Sequence, residues 1–215
     1  MNALVIDDLK SVFSLLSEVM NINKDFLTKL DAAVGDGDLG ITMSRGFIAI
    51  DQAIQVFDAA DMGQLFLKAG ITISQTAPST MGTLIGSGFI KSAKALNNKS
   101  ELNLAGFSEF LSQFLDGMML RGKAKPGGKT IIDSIYPAVQ ALQIASKENR
   151  TLKDGLQLAY EASLNGLEAT KKMVPEYGKQ IAHRVKSIGL QDPGATVGML
   201  FIQTFMKYIK NENSL

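Results

Sequence analysis

The sequence predicts an all-α fold: a bundle or closed barrel of about eight antiparallel amphipathic helices in one domain spanning residues 1–215. Three observations carry this expectation. Apolar residues recur at helical spacing along most of the chain. Clean strand alternation is hard to find, and no Asn-Gly signal joins two β-rich runs. The helical stretches are separated by breaks rich in Gly, Pro or Asp.

The first helix is marked by Leu9, Val12, Phe13, Leu16, Val19 and Met20, which form one apolar stripe. Asp31 is placed at its end. Further helices are expected at about 40–57, 62–75, 80–97, 105–121, 130–146 and 151–173. Pro137 lies within one of them and either kinks it or marks its early turns. Val197, Leu200, Phe201, Thr204, Phe205 and Tyr208 repeat the stripe near the C-terminus.

Composition narrows the function. The chain has 215 residues, 46% hydrophobic and 20% charged, enough to bury a sizeable core. A net charge of +1 argues against nucleic acid as a partner. Without cysteine there are no disulfides and no thiolate metal sites. The first residues lack a basic region and a long apolar run, so no signal peptide is expected. No stretch approaches the roughly 18 consecutive apolar residues of a membrane span. The default location is the cytoplasm.

Four breaks stand out: Asp31–Gly40, Ala77–Gly82, Arg121–Lys129 and Gln191–Gly194. They follow the first, third, fifth and seventh expected helices. In an antiparallel bundle, alternate connections meet at the same end, so all four are expected at one end of the molecule.

The first break holds Asp31, Asp36 and Asp38, separated by Gly35 and Gly37. Three close carboxylates repel one another unless a cation intervenes, and oxygen ligands of this kind suit Mg2+ or Ca2+. The plainer alternative is that Asp38 caps the next helix while the glycines supply positive φ. Gly35-x-Gly37-x-x-Gly40 matches a dinucleotide fingerprint only formally, because no strand precedes it and two acids would face a pyrophosphate. An EF-hand needs Glu at its twelfth position, where this chain has Thr42 or Phe47.

The second break opens a helix with Ser79 and Thr80. This is either a plain cap or a phosphate site, since free amides at a helix start attract anions. The third break, Arg121 to Thr130, resembles a P-loop but has five residues between Gly122 and Gly128, and a helix precedes it. Lys123 and Lys125 read as solvated. Asp192 and Pro193 form a helix start. The lone His183 lies in a polar stretch and reads as a surface residue, so a Ser-His-Asp or thiol hydrolase is poorly supported.

Three segments then carry a resemblance: Asp31 to Gly46 with its Asp36-Gly37-Asp38 core, Arg121 to Asp133 with its Gly128-Lys129-Thr130 core, and Ser187 to Ala195 with its Asp192-Pro193-Gly194 core. In this order and register they are similar to the L (nucleotide-binding) subunit of dihydroxyacetone kinases, the DhaL or DAK2-domain family. The resemblance implies a barrel of eight helices with a nucleotide site at one rim. It implies ADP or ATP held through Mg2+, two ions, on Asp31, Asp36 and Asp38, with no catalytic residue separate from these ligands. It assigns nucleotide contacts to Leu39, Gly40 and Thr42, to Ser79, Thr80, Met81 and Gly82, to Gly122 and Ile131, and to Asp192, Pro193 and Gly194. Lys179 takes the position of a family arginine. The resemblance also implies a partner, a K-type subunit that holds the ketose covalently, without which this chain is inactive. The phosphoryl donor is ATP or a phosphotransferase-system protein. No membrane or nucleic acid enters the scheme.

Departures from the family pattern cluster in the nucleotide shell. Leu39 stands where many members carry His, Pro78 to Gly82 replaces a glycine-rich run, and Gly178-Lys179-Gln180 replaces Gly-Arg-Ala. A different ketose, such as a tetrulose, is compatible with this. So are a nucleotide-loaded regulator that binds a partner protein and a non-enzymatic helical ligand-binding protein. The fatty-acid-kinase relative fits less well, because its acidic motif continues Thr-Gly-Thr-Asn where this chain has Leu39-Gly40-Ile41-Thr42.

Overall fold

The computed structural model describes residues 2–211; Met1 and residues 212–215 of the expected domain lie outside the described residues. Its helices are α1 (Ile6–Ile22), α2 (Lys24–Val34), α3 (Leu39–Gln55), α4 (Met62–Thr76), α5 (Thr80–Ala95), α6 (Leu104–Gly122), α7 (Ile132–Lys147), α8 (Leu152–Ala169), α9 (Arg184–Ser187) and α10 (Pro193–Lys210). Two 3-10 turns, Thr170–Lys172 and Lys179–His183, lie between α8 and α9.

Eight long helices form a ring. Its packing order is α1, α3, α4, α5, α6, α7, α8 and α10, and α10 closes it against α1. The all-α expectation is met, with two refinements. The first helix breaks at Asn23, whose side-chain amide donates to the Val19 carbonyl at 2.9 Å. Asp31 therefore lies inside the separate helix α2 rather than at the end of α1. A two-residue antiparallel ladder, Leu4–Val5 against Glu101–Leu102, staples the end of the ring opposite the four breaks. It is too short to show in sequence alternation.

The middle of the ring is filled by aromatic side chains. Phe13 of α1, Phe66 of α4, Phe89 of α5, Phe110 of α6 and Phe201 and Phe205 of α10 are buried. The Phe66 and Phe110 rings stack at 4.4 Å, and Phe114 and Phe201 at 5.3 Å. Such contacts between four or more helices make the interior one cooperative core. Pro137 sits inside α7 and removes an N–H that would have bonded the Asp133 carbonyl. Gly166 of α8 fits against that carbonyl: a Cβ there would fall 2.1 Å from it. No described helix is long and apolar enough to cross a membrane.

Candidate metal and nucleotide site

The antiparallel ring puts the starts of α3, α5, α7 and α10 at one rim, together with the end of α2. Each helix start offers free amides and partial positive charge locally, while the ends of α4, α6 and α8 at the same rim offset this over the rim as a whole.

The acidic corner is built from local chemistry. Asp31 lies in the last turn of α2. The chain then turns through Gly35 and Gly37, the latter at φ 74°, in the left-handed region that glycine favours. A Cβ on Gly35 would come within 2.5 Å of Asp31 Oδ1, so a side chain there would displace the carboxylate. Asp31 Oδ2 accepts the amides of Asp38 at 3.0 Å and Leu39 at 3.2 Å, capping α3 from the preceding helix. Asp38 holds the N-cap position but makes no side-chain cap bond. The capping alternative for Asp38 is thus not realised: Asp31 takes the cap, and the Asp38 side chain stays available. One carboxylate oxygen from each of Asp31, Asp36 and Asp38 lies within 4.8 Å of the others.

The charges are unevenly perturbed. Partial burial raises the Asp31 carboxyl above its ordinary value. The neighbouring carboxylates of Asp36 and Asp38 add to the rise, while the Leu39 and Asp38 amides oppose it. The Lys179 ammonium, hydrogen-bonded to Asp36, holds Asp36 below its ordinary value. Lys179 also lies 3.6 Å from Asp38. A side-chain cation thus bridges two acids that face solvent. The donor set is all carboxylate oxygen, the chemistry a hard divalent cation takes.

The other walls converge on this corner. Ser79 caps α5 by accepting the Gly82 amide at 3.1 Å, leaving Thr80 and Met81 at the helix start. Gly194 opens α10 against α5 and α7, since a Cβ there would lie 2.9 Å from Met81 Cε and 3.2 Å from the Ile131 amide. Asp192 is buried and caps α10 by accepting the Ala195 amide at 2.6 Å and the Gln180 side-chain amide at 2.5 Å. Asp133 accepts the amides of Gly127 at 2.5 Å and Thr130 at 2.7 Å, which fixes the loop before α7.

Together these elements line a single cleft that is open to solvent. Asp31, Asp36, Asp38, Leu39, Ser79, Thr80, Met81, Gly122, Ile131, Lys179, Asp192, Pro193 and Gly194 all line it. Of the other residues singled out from sequence, Gly40, Thr42 and Gly82 do not. Gly40 instead packs α3 against α2, where a Cβ would meet the Lys24 carbonyl at 1.9 Å. Gly82 lies against the Ala77 carbonyl in the same way, at 2.0 Å.

Sequence reading missed Leu84, Met118, Lys129, Thr130, Tyr177 and Gln180 in the lining. Leu84 and Met118 were findable, because each is four residues along a helix from a named site residue, Thr80 or Gly122. Lys129 and Thr130 belong to the family motif, but only Lys123 and Lys125 read individually as solvated, and no site role follows for Lys129. Lys123 and Lys125 are indeed exposed, but Lys129 is 1% exposed. His183 is half-buried and lies outside the lining.

Burial pushes the Asp192 carboxyl up to about 7, against the opposing Ala195 and Gln180 hydrogen bonds. A carboxyl raised in the folded state favours folding fully below its unfolded value near 4. That contribution is lost as pH rises through about 7. Asn is a good cap and does not titrate. The melting temperature of the wild type relative to Asp192→Asn should therefore fall from about pH 5 to about pH 8. A difference that is flat across that window would refute the assignment.

The DAK2 domain model matches residues 33–207. The chain is 31% identical over 186 residues to the ADP-binding subunit DhaL of the PEP-dependent dihydroxyacetone kinase of Escherichia coli, covering 86% of this chain and 89% of that one. It is 29% identical over 206 residues to the corresponding subunit of the PTS-dependent enzyme of Lactococcus lactis, covering 96% and 99%. Among solved structures, the dihydroxyacetone kinase of C. freundii in complex with AMP-PNP and Mg2+ superposes with a TM-score of 0.72 at 24% identity. That match covers 92% of this chain and 33% of the larger enzyme, and at that identity it speaks for the fold.

Proposed function

Since this chain belongs to the DAK2-domain family, we propose that it is the ADP- or ATP-binding subunit of a dihydroxyacetone-type ketose kinase, with the nucleotide held through Mg2+. It is a phosphotransferase subunit. It passes a phosphoryl group to a ketose carried on a separate K-type subunit, and it is inactive without that partner. The whole chain acts as one nucleotide-binding domain, working in the cytoplasm.

The observation that carries this reading is the acidic corner. Three carboxylates with oxygens within 4.8 Å of one another stand in the wall of a solvent-open cleft that the start of α5 also lines. Asp31, Asp36 and Asp38 hold the Mg2+, as two ions. Bound Mg2+ neutralises and orients the phosphates, so the protein's own task is positioning. Thr80 and Met81 meet the phosphates at the positive end of α5. Leu84, Met118, Gly122 and Ile131 offer the apolar wall against which a base packs. Lys179, which bridges Asp36 and Asp38, would have to release those carboxylates for them to hold Mg2+, and its ammonium would then be free to pair with a phosphate. The PTS-dependent name of the L. lactis relative supports a phosphotransferase-system protein as the phosphoryl donor, and the PEP-dependent name of the E. coli relative is compatible with it.

The test is reconstitution. The purified chain is combined with a K-type subunit from the same genome, dihydroxyacetone, Mg2+, and either ATP or a phosphorylated phosphotransferase-system protein. Ketose phosphate should form only when both subunits are present. Product with the K-type subunit alone, or none from the complete mixture although the chain binds Mg2+-ADP, would reject the kinase reading.

A further inference from the structure

Lys129 is not needed by the chemistry above, yet it is one of the largest fully buried side chains among the described residues. Burial lowers its affinity for a proton, and a buried ammonium must be compensated. Among the described residues no carboxylate hydrogen-bonds it, although the nearby Asp192 carboxylate partly opposes the effect of burial. Its Nζ donates instead to three main-chain carbonyls: Ser187 at 2.5 Å, Leu190 at 2.9 Å and, at the long limit, Met173 at 3.5 Å. All three belong to one stretch, 173–190. Lys129 itself is held in the left-handed region at φ 58°, an uncommon conformation for a residue with a side chain.

The stretch needs such an anchor. It contains only a 3-10 turn and one short helix, and of residues 173–190 only Pro175 and Ser187 are buried. It is also the part of the cleft wall that carries Tyr177, Lys179 and Gln180. A second tie comes from beside the lysine, where the Glu176 amide donates to the Gly128 carbonyl at 3.1 Å. The stretch is thus fastened from the loop before α7, with the ammonium as its central point.

We propose that Lys129 is a positioning residue whose ammonium takes the place of a bound monovalent cation among the carbonyls of Ser187, Leu190 and Met173, and so fixes the 173–190 wall over the nucleotide cleft. This rests on the nucleotide reading of that cleft. Lys129 lines the cleft, but its ammonium is turned to these carbonyls, so it acts through Tyr177, Lys179 and Gln180. If the wall is correctly placed for only a tenth of the time without it, apparent nucleotide affinity falls about tenfold.

The test uses Lys129→Met, which keeps the stem and removes the donors, and Lys129→Ala, which leaves room for a small cation. Hydrogen exchange across the chain and Mg2+-ADP affinity are measured beside the wild type. Lys129→Met should exchange faster at 173–190 while the ring helices keep their protection, and it should bind Mg2+-ADP about tenfold more weakly or worse. In Lys129→Ala, ammonium or potassium should recover protection and affinity, where tetramethylammonium at matched ionic strength does not. Wild-type exchange at 173–190 in Lys129→Met, or recovery that ignores the size of the cation, overturns the proposal. If wild type binds no Mg2+-ADP, the nucleotide reading fails, while the exchange data still decide the role of Lys129. If neither variant folds, acetylation footprinting of the wild type decides. Lys129 should stay unmodified while Lys123 and Lys125 react, and equal reaction of all three overturns the proposal.

Discussion

Asp36→Asn combined with Asp38→Asn is expected to abolish the Mg2+-dependent stabilisation of this protein by ADP. The pair supplies two of the three carboxylates in the acidic corner, and both face solvent, where an incoming ion meets them. An amide keeps the shape but loses the charge that a hard divalent cation requires. A ligand present at about 100 times its dissociation constant adds roughly 2.7 kcal/mol, or several degrees in a domain of this size. That increment should vanish in the double variant. The unliganded protein should melt almost where the wild type does. The bridge from Lys179 is lost, but exposed ion pairs contribute little, and the mutual repulsion of two acids goes with it. The result is read by thermal melts with ADP, with and without Mg2+, after any carried-over nucleotide has been identified by mass. A double variant that retains the full shift would mean that the cation, if any, binds elsewhere.

How far this site could be read from sequence depends on the distance over which each residue acts. Asp36 and Asp38 are legible because the glycines beside them and the spacing of the three acids are local. The placement of four breaks at one rim was legible from helix counting alone, because an antiparallel ring leaves little topological freedom. Lys179 entered through the family resemblance alone, whereas Asp192 was legible as a helix start and owed only its nucleotide contact to the resemblance. Lys129 and Gln180 are different. The partners of Lys129 lie up to 61 residues away, and Gln180 reaches Asp192 across an irregular stretch with no periodicity. Only the family motif marks Lys129 off from Lys123 and Lys125 in the same basic loop, and the motif does not say that one is buried and two are solvated. The break at Asn23 was also hidden, since the apolar stripe runs up to it and the side chain that ends α1 bonds only to its own helix.

Glycine is the residue whose sequence appearance misleads most, and Gly40 gives the second large expected effect. A glycine beside an acidic motif looks like room for a ligand. In the structure the room is occupied by α2: a Cβ on Gly40 would fall 1.9 Å from the Lys24 carbonyl, 2.4 Å from Thr28 Oγ1 and 2.8 Å from the Thr28 amide. Two of these are main-chain atoms, which cannot rotate aside, so Gly40→Ala must push α2 and α3 apart. Overpacking of this kind costs roughly 1–3 kcal/mol, which is several degrees of melting temperature. The displacement also reaches the metal corner, because Asp31 rides on α2 and caps α3 through the Asp38 and Leu39 amides. Gly40→Ala should therefore melt lower without ligand and bind Mg2+-ADP more weakly as well. Thr42→Ala, one residue pair further along the same helix and outside the cleft, should change neither by much. A Gly40→Ala protein with wild-type stability but impaired nucleotide binding would return Gly40 to the role of a ligand contact. If both properties fall together, helix packing and metal geometry are set by the same close approach.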